Sequence, residues 1–89
     1  MIGSNYPNPF NPSTTIAFSI PQDSLVKLSV FNLRGQKIID LLDEDMLRGH
    51  HKIVWDGKDK NKRRLSSGIY LLKLEAAGNI STQKVMLMK

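Results

Sequence analysis

The chain has 89 residues, 40% of them apolar and 24% charged, with a formal net charge of +5 and no cysteine. That length supports one small domain with a stability margin of roughly 5 kcal/mol or less, and the missing cysteine excludes both a disulfide framework and thiolate chemistry. No run approaches the roughly 20 apolar residues that span a bilayer, and Met1 to Asn5 has neither the basic flank nor the apolar stretch of an export peptide; if the domain is exported, its signal lies outside this sequence or is something other than an N-terminal peptide.

Tyr6 to Thr15 comes first. It carries Pro7, Pro9 and Pro12 directly before an alternating segment, and proline fixes φ, removes an amide donor and biases the preceding residue toward extended geometry. The segment should be stiff and extended without being a central strand, with Phe10 as an apolar plug over one end of the core. Residues 1–13 are therefore expected as a linker and proline-rich lead-in, and residues 14–89 as the domain.

Period-two alternation begins at Thr14 to Ile20, with Ile16, Phe18 and Ile20 on one face. Pro21 to Ser24 reads as a turn, and Leu25 to Asn32 as a strand with Val26, Leu28 and Val30 inward and Lys27 and Ser29 outward. Phe31 departs from that polarity and covers an edge or joint. Leu33 to Gln36 places Gly35 where a turn needs positive φ, and Lys37 to Leu42 returns as the second arm of a hairpin. Asp43 to Gly49 is too short for an independent helix and reads as a loop. In His50 to Trp55, His51, Ile53 and Trp55 share one face. Asp56 to Lys62 is a turn-rich connection, with Leu65 as a short edge strand before a Ser66-Ser67-Gly68 turn. Ile69 to Ala76 carries the strongest alternation, with Tyr70, Leu72 and Leu74 on one face; Ala77 to Asn79 turns the chain, and Ile80 to Lys89 closes it with Val85 and Leu87 opposite Met86 and Met88. About seven short strands separated by turn residues predict an all-β antiparallel sandwich, a small barrel being the alternative. The expected core is Ile16, Phe18, Leu28, Val30, Trp55, Tyr70, Leu72 and Leu74.

Residues of the types that carry chemistry are sparse. His50 and His51 are neighbours on a strand, so their side chains point to opposite faces and do not form a ligand pair. Ser66 and Ser67 have no base near them in sequence and fit a turn. Asp56, Asp59 and Asn61 are oxygen donors in a glycine-containing loop, as a hard cation requires, but the calcium-loop spacing is absent and lysines and arginines crowd them; the preferred reading is that Asp56 caps a turn through backbone amides. The basic run Lys58, Lys60, Lys62, Arg63 and Arg64 has no interleaved aromatic residue for base stacking. It reads as a solvated loop or a weak handle for an anionic surface polymer. No enzyme activity, cofactor, metal or nucleic acid is expected.

Taken in order, Tyr6-Pro7-Asn8-Pro9-Phe10-Asn11-Pro12, Leu28 to Gln36, Gly49-His50, Trp55-Asp56-Gly57, Ser67-Gly68-Ile69-Tyr70 and Lys84-Val85-Met86-Leu87-Met88-Lys89 resemble the type A C-terminal sorting domains of the type IX secretion system. The chain is also similar to the immunoglobulin-like domain of flagellar hook-capping proteins. The resemblance runs from Asn5 to Lys89 and implies a seven-stranded immunoglobulin-like sandwich at the end of a larger secreted protein, with Lys89 as the natural terminus. It implies recognition by an outer-membrane translocon through Pro7, Asn8, Pro9, Phe10, Asn11, Pro12, Gly68, Tyr70, Lys84, Val85, Leu87 and Lys89. It further implies passage through the periplasm and release or attachment at the cell surface, with an upstream cargo domain, the secretion machinery and anionic lipopolysaccharide as partners. The alternative role is a non-catalytic structural domain of a surface hydrolase or hook-capping scaffold. The sequence departs from the resemblance at Lys62 and Arg64, where the family usually carries glycine and often proline, so the Asp56 to Leu65 loop should have different turn geometry, or a strained Lys62 if the family's geometry is kept.

Overall fold

The computed structural model describes residues 2–6 and 13–87. Seven strands follow in chain order: β1 (Ile2–Tyr6), β2 (Thr14–Ile20), β3 (Ser24–Phe31), β4 (Lys37–Met46), β5 (Gly49–Trp55), β6 (Gly68–Ala76) and β7 (Asn79–Leu87). They form two open antiparallel sheets, ordered β1-β2-β5 and β4-β3-β6-β7. The architecture is a sandwich and not a barrel, because each sheet keeps two edges.

Alternation makes the core. Thr14, Ile16, Phe18 and Ile20 of β2 face inward, and Val26, Leu28 and Val30 of β3 meet them from the other sheet with Tyr70, Leu72 and Leu74 of β6 and Val85 and Leu87 of β7. All eight expected core residues are buried. Trp55, 1% exposed, closes one end with its ring edge-on to Tyr70 at 6.1 Å between centroids.

The β3–β4 hairpin turns where Gly35 adopts φ +84, a conformation that costs a residue without Cβ nothing. Asn32 organises this turn: its side-chain Oδ1 accepts the amides of Arg34 at 2.9 Å and Gln36 at 3.0 Å.

Four expectations are corrected. The lead-in over residues 1–13 contains a strand, because Ile2–Tyr6 pairs with β2; its composition shows no alternation, and an edge strand is set by its partner more than by its own pattern. The loop read at Asp43 is strand as far as Met46, since Asp43 pairs with Lys27 and Asp45 with Leu25; opposite charges across strands support the pairing, and acidic residues suit an exposed edge. Ser29 lies on the outer face, opposite Lys73, but is buried there and not solvated. Register shifts beside it, and its hydroxyl donates to Asp40 Oδ1 at 2.6 Å. Leu65 forms no edge strand; Lys58 and Arg64 make an isolated bridge instead, while the Leu65 amide donates to the Gly57 carbonyl at 3.3 Å and its side chain packs on the core.

Candidate recognition surface

Connectivity decides which strand ends lie together. β5 ends at Trp55 and β6 starts at Gly68, so the Asp56 to Ser67 connection joins the two sheets at one pole. Register places the other ends there: Tyr6 opposite Thr15, Thr14 opposite Trp55, Phe31 opposite Lys37 and Gly68 opposite Leu87. The Leu33 to Gln36 turn is at this pole too. Four stretches that are far apart in sequence thus converge: the hairpin turn, Trp55-Asp56-Gly57, Ser67 to Tyr70, and the end of β7.

The last two are cross-strand partners. Gly68 faces Leu87, Tyr70 faces Val85 and Leu71 faces Lys84 in the antiparallel β6–β7 pair. Tyr70, Val85 and Leu87 point into the core, whereas Lys84 and Met86 lie on the outer face of β7 with Ile69 beside Met86. Tyr70 keeps its ring in the core and donates its hydroxyl to the Ser66 carbonyl at 2.7 Å, tying the connection to β6. The expected recognition residues Pro7, Asn8, Pro9, Phe10, Asn11, Pro12 and Lys89 lie outside the described residues.

The Asp56 to Leu65 connection is a small built loop. Asp56 Oδ1 accepts the Lys58 amide at 3.1 Å, and Asp59 Oδ1 accepts the amides of Asn61 at 2.9 Å and Arg63 at 3.0 Å. The Arg63 amide, then that of Asn61, holds the Asp59 carboxyl below its ordinary range. The Asp59 amide in turn donates to the Arg63 carbonyl, and the Lys62 amide to the Asp59 carbonyl, both at 3.0 Å. Outside the loop, the Trp55 indole N–H donates to the Lys58 carbonyl at 3.0 Å, and the Lys60 amide to Ile38 of β4 at 3.4 Å. Lys62 adopts φ +64, the strained geometry expected if a glycine-type turn is retained. Asp59 was missed as the loop's organiser; the signal was an aspartate followed by amides two and four residues on, the pattern of an Asx turn.

None of this assembles catalysis. His51 stacks on Phe18 at 5.5 Å between centroids and donates Nε2–H to the Leu47 carbonyl at 2.7 Å, at the far end of β5, while His50 points outward. Ser66 serves Tyr70 through its backbone. Asp56 and Asp59 spend an oxygen on amides, and no group of three metal-ligating side chains occurs among the described residues. What the pole offers is a surface: Lys60 to Arg64 are exposed, and Leu33 is 64% exposed.

A profile of the secretion system C-terminal sorting domain matches residues 4–88. No curated protein matches the chain. Among solved structures, FlgD of P. aeruginosa is similar at 19% identity and a TM-score of 0.67, over 84% of this chain and 59% of that one. PorZ of Porphyromonas gingivalis, an essential bacterial surface component of the type-IX secretion system, is similar at 14% identity and a TM-score of 0.66, over 99% of this chain and 11% of that one. At these identities the likeness is one of fold, and the chain spans only part of either protein.

Proposed function

This chain belongs to the secretion system C-terminal sorting domain family, which makes it a sorting module and not an enzyme, and from that membership we propose that it directs an upstream cargo domain through the type IX translocon of the outer membrane. The sorted protein passes through the periplasm to the cell exterior. The recognition elements in this reading are Pro7 to Pro12, the Gly68 and Tyr70 motif, and Lys84, Val85, Leu87 and Lys89. The observation that carries it is the pairing of Gly68 with Leu87 and Tyr70 with Val85 at one pole of the sandwich. Because Tyr70, Val85 and Leu87 are buried, they act in the folded domain by shaping that pole, while Lys84 meets the partner directly. Attachment to anionic lipopolysaccharide after crossing belongs to the same proposal. A structural role in a hook-cap scaffold is the second reading, favoured by the shared fold with FlgD.

The test is a carrier protein with an upstream export peptide and this chain at its C-terminus, expressed in a host with a working type IX system. The intact fusion should reach the outside, and deletion of Lys84 to Lys89 should leave it in the periplasm. Lys89→Glu separates recognition from folding, since it leaves every described apolar contact in place and should not move the urea midpoint. A folded intact fusion that stays periplasmic, or a truncated one exported as efficiently, replaces sorting with the structural reading.

A further inference from the structure

The charge of the molecule is sorted along its strands. At the pole described above, Lys58, Lys60, Lys62, Arg63 and Arg64 are carried on one short loop, and Arg34 on the neighbouring turn. At the opposite pole, Asp43, Glu44 and Asp45 end β4 beside the start of β3. Among the described residues the two ion pairs are Lys37 with Asp40 at 3.2 Å and Lys73 with Glu75 at 3.5 Å; the loop cations form none, and they outnumber Asp56 and Asp59 on the same loop, the latter carboxylate lying in the field of Arg63 and Lys60. Their placement is held by the loop's hydrogen bonds: Asp59 fixes the Asn61 and Arg63 amides, and Lys60 is tied to Ile38. A rigid loop carrying unpaired cations loses less entropy on binding than a free basic tail.

Beside this loop lies a cleft of about 430 Å³, lined by Ile38 and Ile39 with Lys37, Asp40 and Lys60. Ile38 and Ile39 are half-buried, and Leu33 on the adjoining turn is exposed. Exposed aliphatic surface beside unpaired cations is a mixture suited to another protein. Among the described side chains the aromatic rings at this pole are committed elsewhere: Trp55 and Tyr70 are buried, and Phe31 lies under the Lys73 ammonium, 5.8 Å from its ring centre.

Resting on the sorting reading, we propose that this basic pole docks on an acidic protein surface of the secretion machinery, with the Ile38–Ile39 cleft taking an aliphatic side chain of that partner.

The experiment has two parts. In the carrier fusion, a pole-neutral variant (Lys58→Gln, Lys60→Gln, Arg63→Gln, Arg64→Gln) is compared with a distal control (Asp43→Asn, Glu44→Gln, Asp45→Asn), each checked as folded by its urea midpoint. The pole-neutral fusion should be exported at least about tenfold less than wild type, and the distal control as well as wild type. The second part needs no variant: the purified 89-residue chain is titrated onto outer-membrane vesicles from the same host. Binding should vanish in about 1 M salt, where the screening length falls to about 3 Å, and after protease has shaved the vesicle proteins. Binding that survives shaving identifies an anionic polymer as the partner and overturns the proposal. Export of the folded pole-neutral fusion at the wild-type level overturns it too, while leaving sorting intact; failure of the wild-type fusion to be exported removes the sorting reading and this inference with it.

Discussion

Lys62 holds φ +64 in a loop whose hydrogen bonds give it no alternative, since its own amide and the Arg63 amide are both bonded to Asp59. A left-handed L-residue costs about 1 to 2 kcal/mol, of which glycine recovers part after its larger unfolded-state entropy is counted. Lys62→Gly should therefore raise the stability by about 0.5 to 1 kcal/mol, read as a higher urea midpoint, while Lys62→Ala should change it little. Equal midpoints for glycine and alanine would show that the loop relaxes away from positive φ. At Asp40 the effect depends on pH. The Ser29 hydroxyl, and after it the Lys37 ammonium, holds this carboxyl below its ordinary range. A depressed carboxyl pKa stabilises the fold above the unfolded value of about 4, and that contribution is lost as the pH falls through the lower folded-state value. Asp40 is more than a third exposed, so water screens the interaction and its worth is about 1 kcal/mol or less. Ser29→Ala should lower the urea midpoint at neutral pH, and its gap from wild type should narrow as acid protonates Asp40. A gap of constant size down to about pH 2 would assign the loss to packing of Ser29 instead.

At the scale of elements, edge strands are guarded by charge. β4 carries Asp43, Glu44 and Asp45 on one edge of its sheet, while β7 on the other has Lys84 as its one charged residue among those described, with Ile80 62% and Met86 43% exposed. An edge with few charges and exposed apolar side chains is a template for pairing with another chain. Removing that charge should show its role: Lys84→Ile should elute as dimers or larger species at rising concentration in size-exclusion chromatography, where wild type stays monomeric. A monomeric Lys84→Ile chain at the highest concentrations would mean that β1, which approaches β7 from the other sheet, already shields this edge. The same side chain is a recognition element in the sorting proposal.

At the scale of the molecule, the two sheets share one core and the chain crosses between them three times, through residues 21–23, 47–48 and 56–67, so they should unfold together. Trp55 belongs to β5 of one sheet and packs against Tyr70 of the other, which makes its fluorescence a report on contact between sheets. Far-ultraviolet circular dichroism reports the strands themselves. The emission should be blue-shifted in the native state, and the two transitions in urea should coincide. Fluorescence that changes at lower urea than the dichroism would show the sheets parting before either melts.

The buried strands were legible residue by residue, because a half-buried strand must alternate and Thr14 to Ile20 and Ile69 to Ala76 do so without interruption. The turn at Gly35 was legible for a related reason, since positive φ is a local property of the backbone; the strain at Lys62 was one of two outcomes that the family resemblance implied. Edge strands β5 and β7 were legible as well, but two edge segments were not. Ile2–Tyr6 and the acidic end of β4 acquire strand geometry from the hydrogen bonds of their neighbours, and their own side chains carry no period. The register shift that buries Ser29 beside Asp40 is likewise a property of two strands at once. By itself the sequence determined an all-β domain, its main core and the order of its motifs. Tertiary structure decided that the hairpin turn, the Trp55 loop, the Tyr70 motif and the end of β7 meet at one basic pole while the acids of β4 gather at the other, because sheet order and strand direction set which ends of distant segments become neighbours.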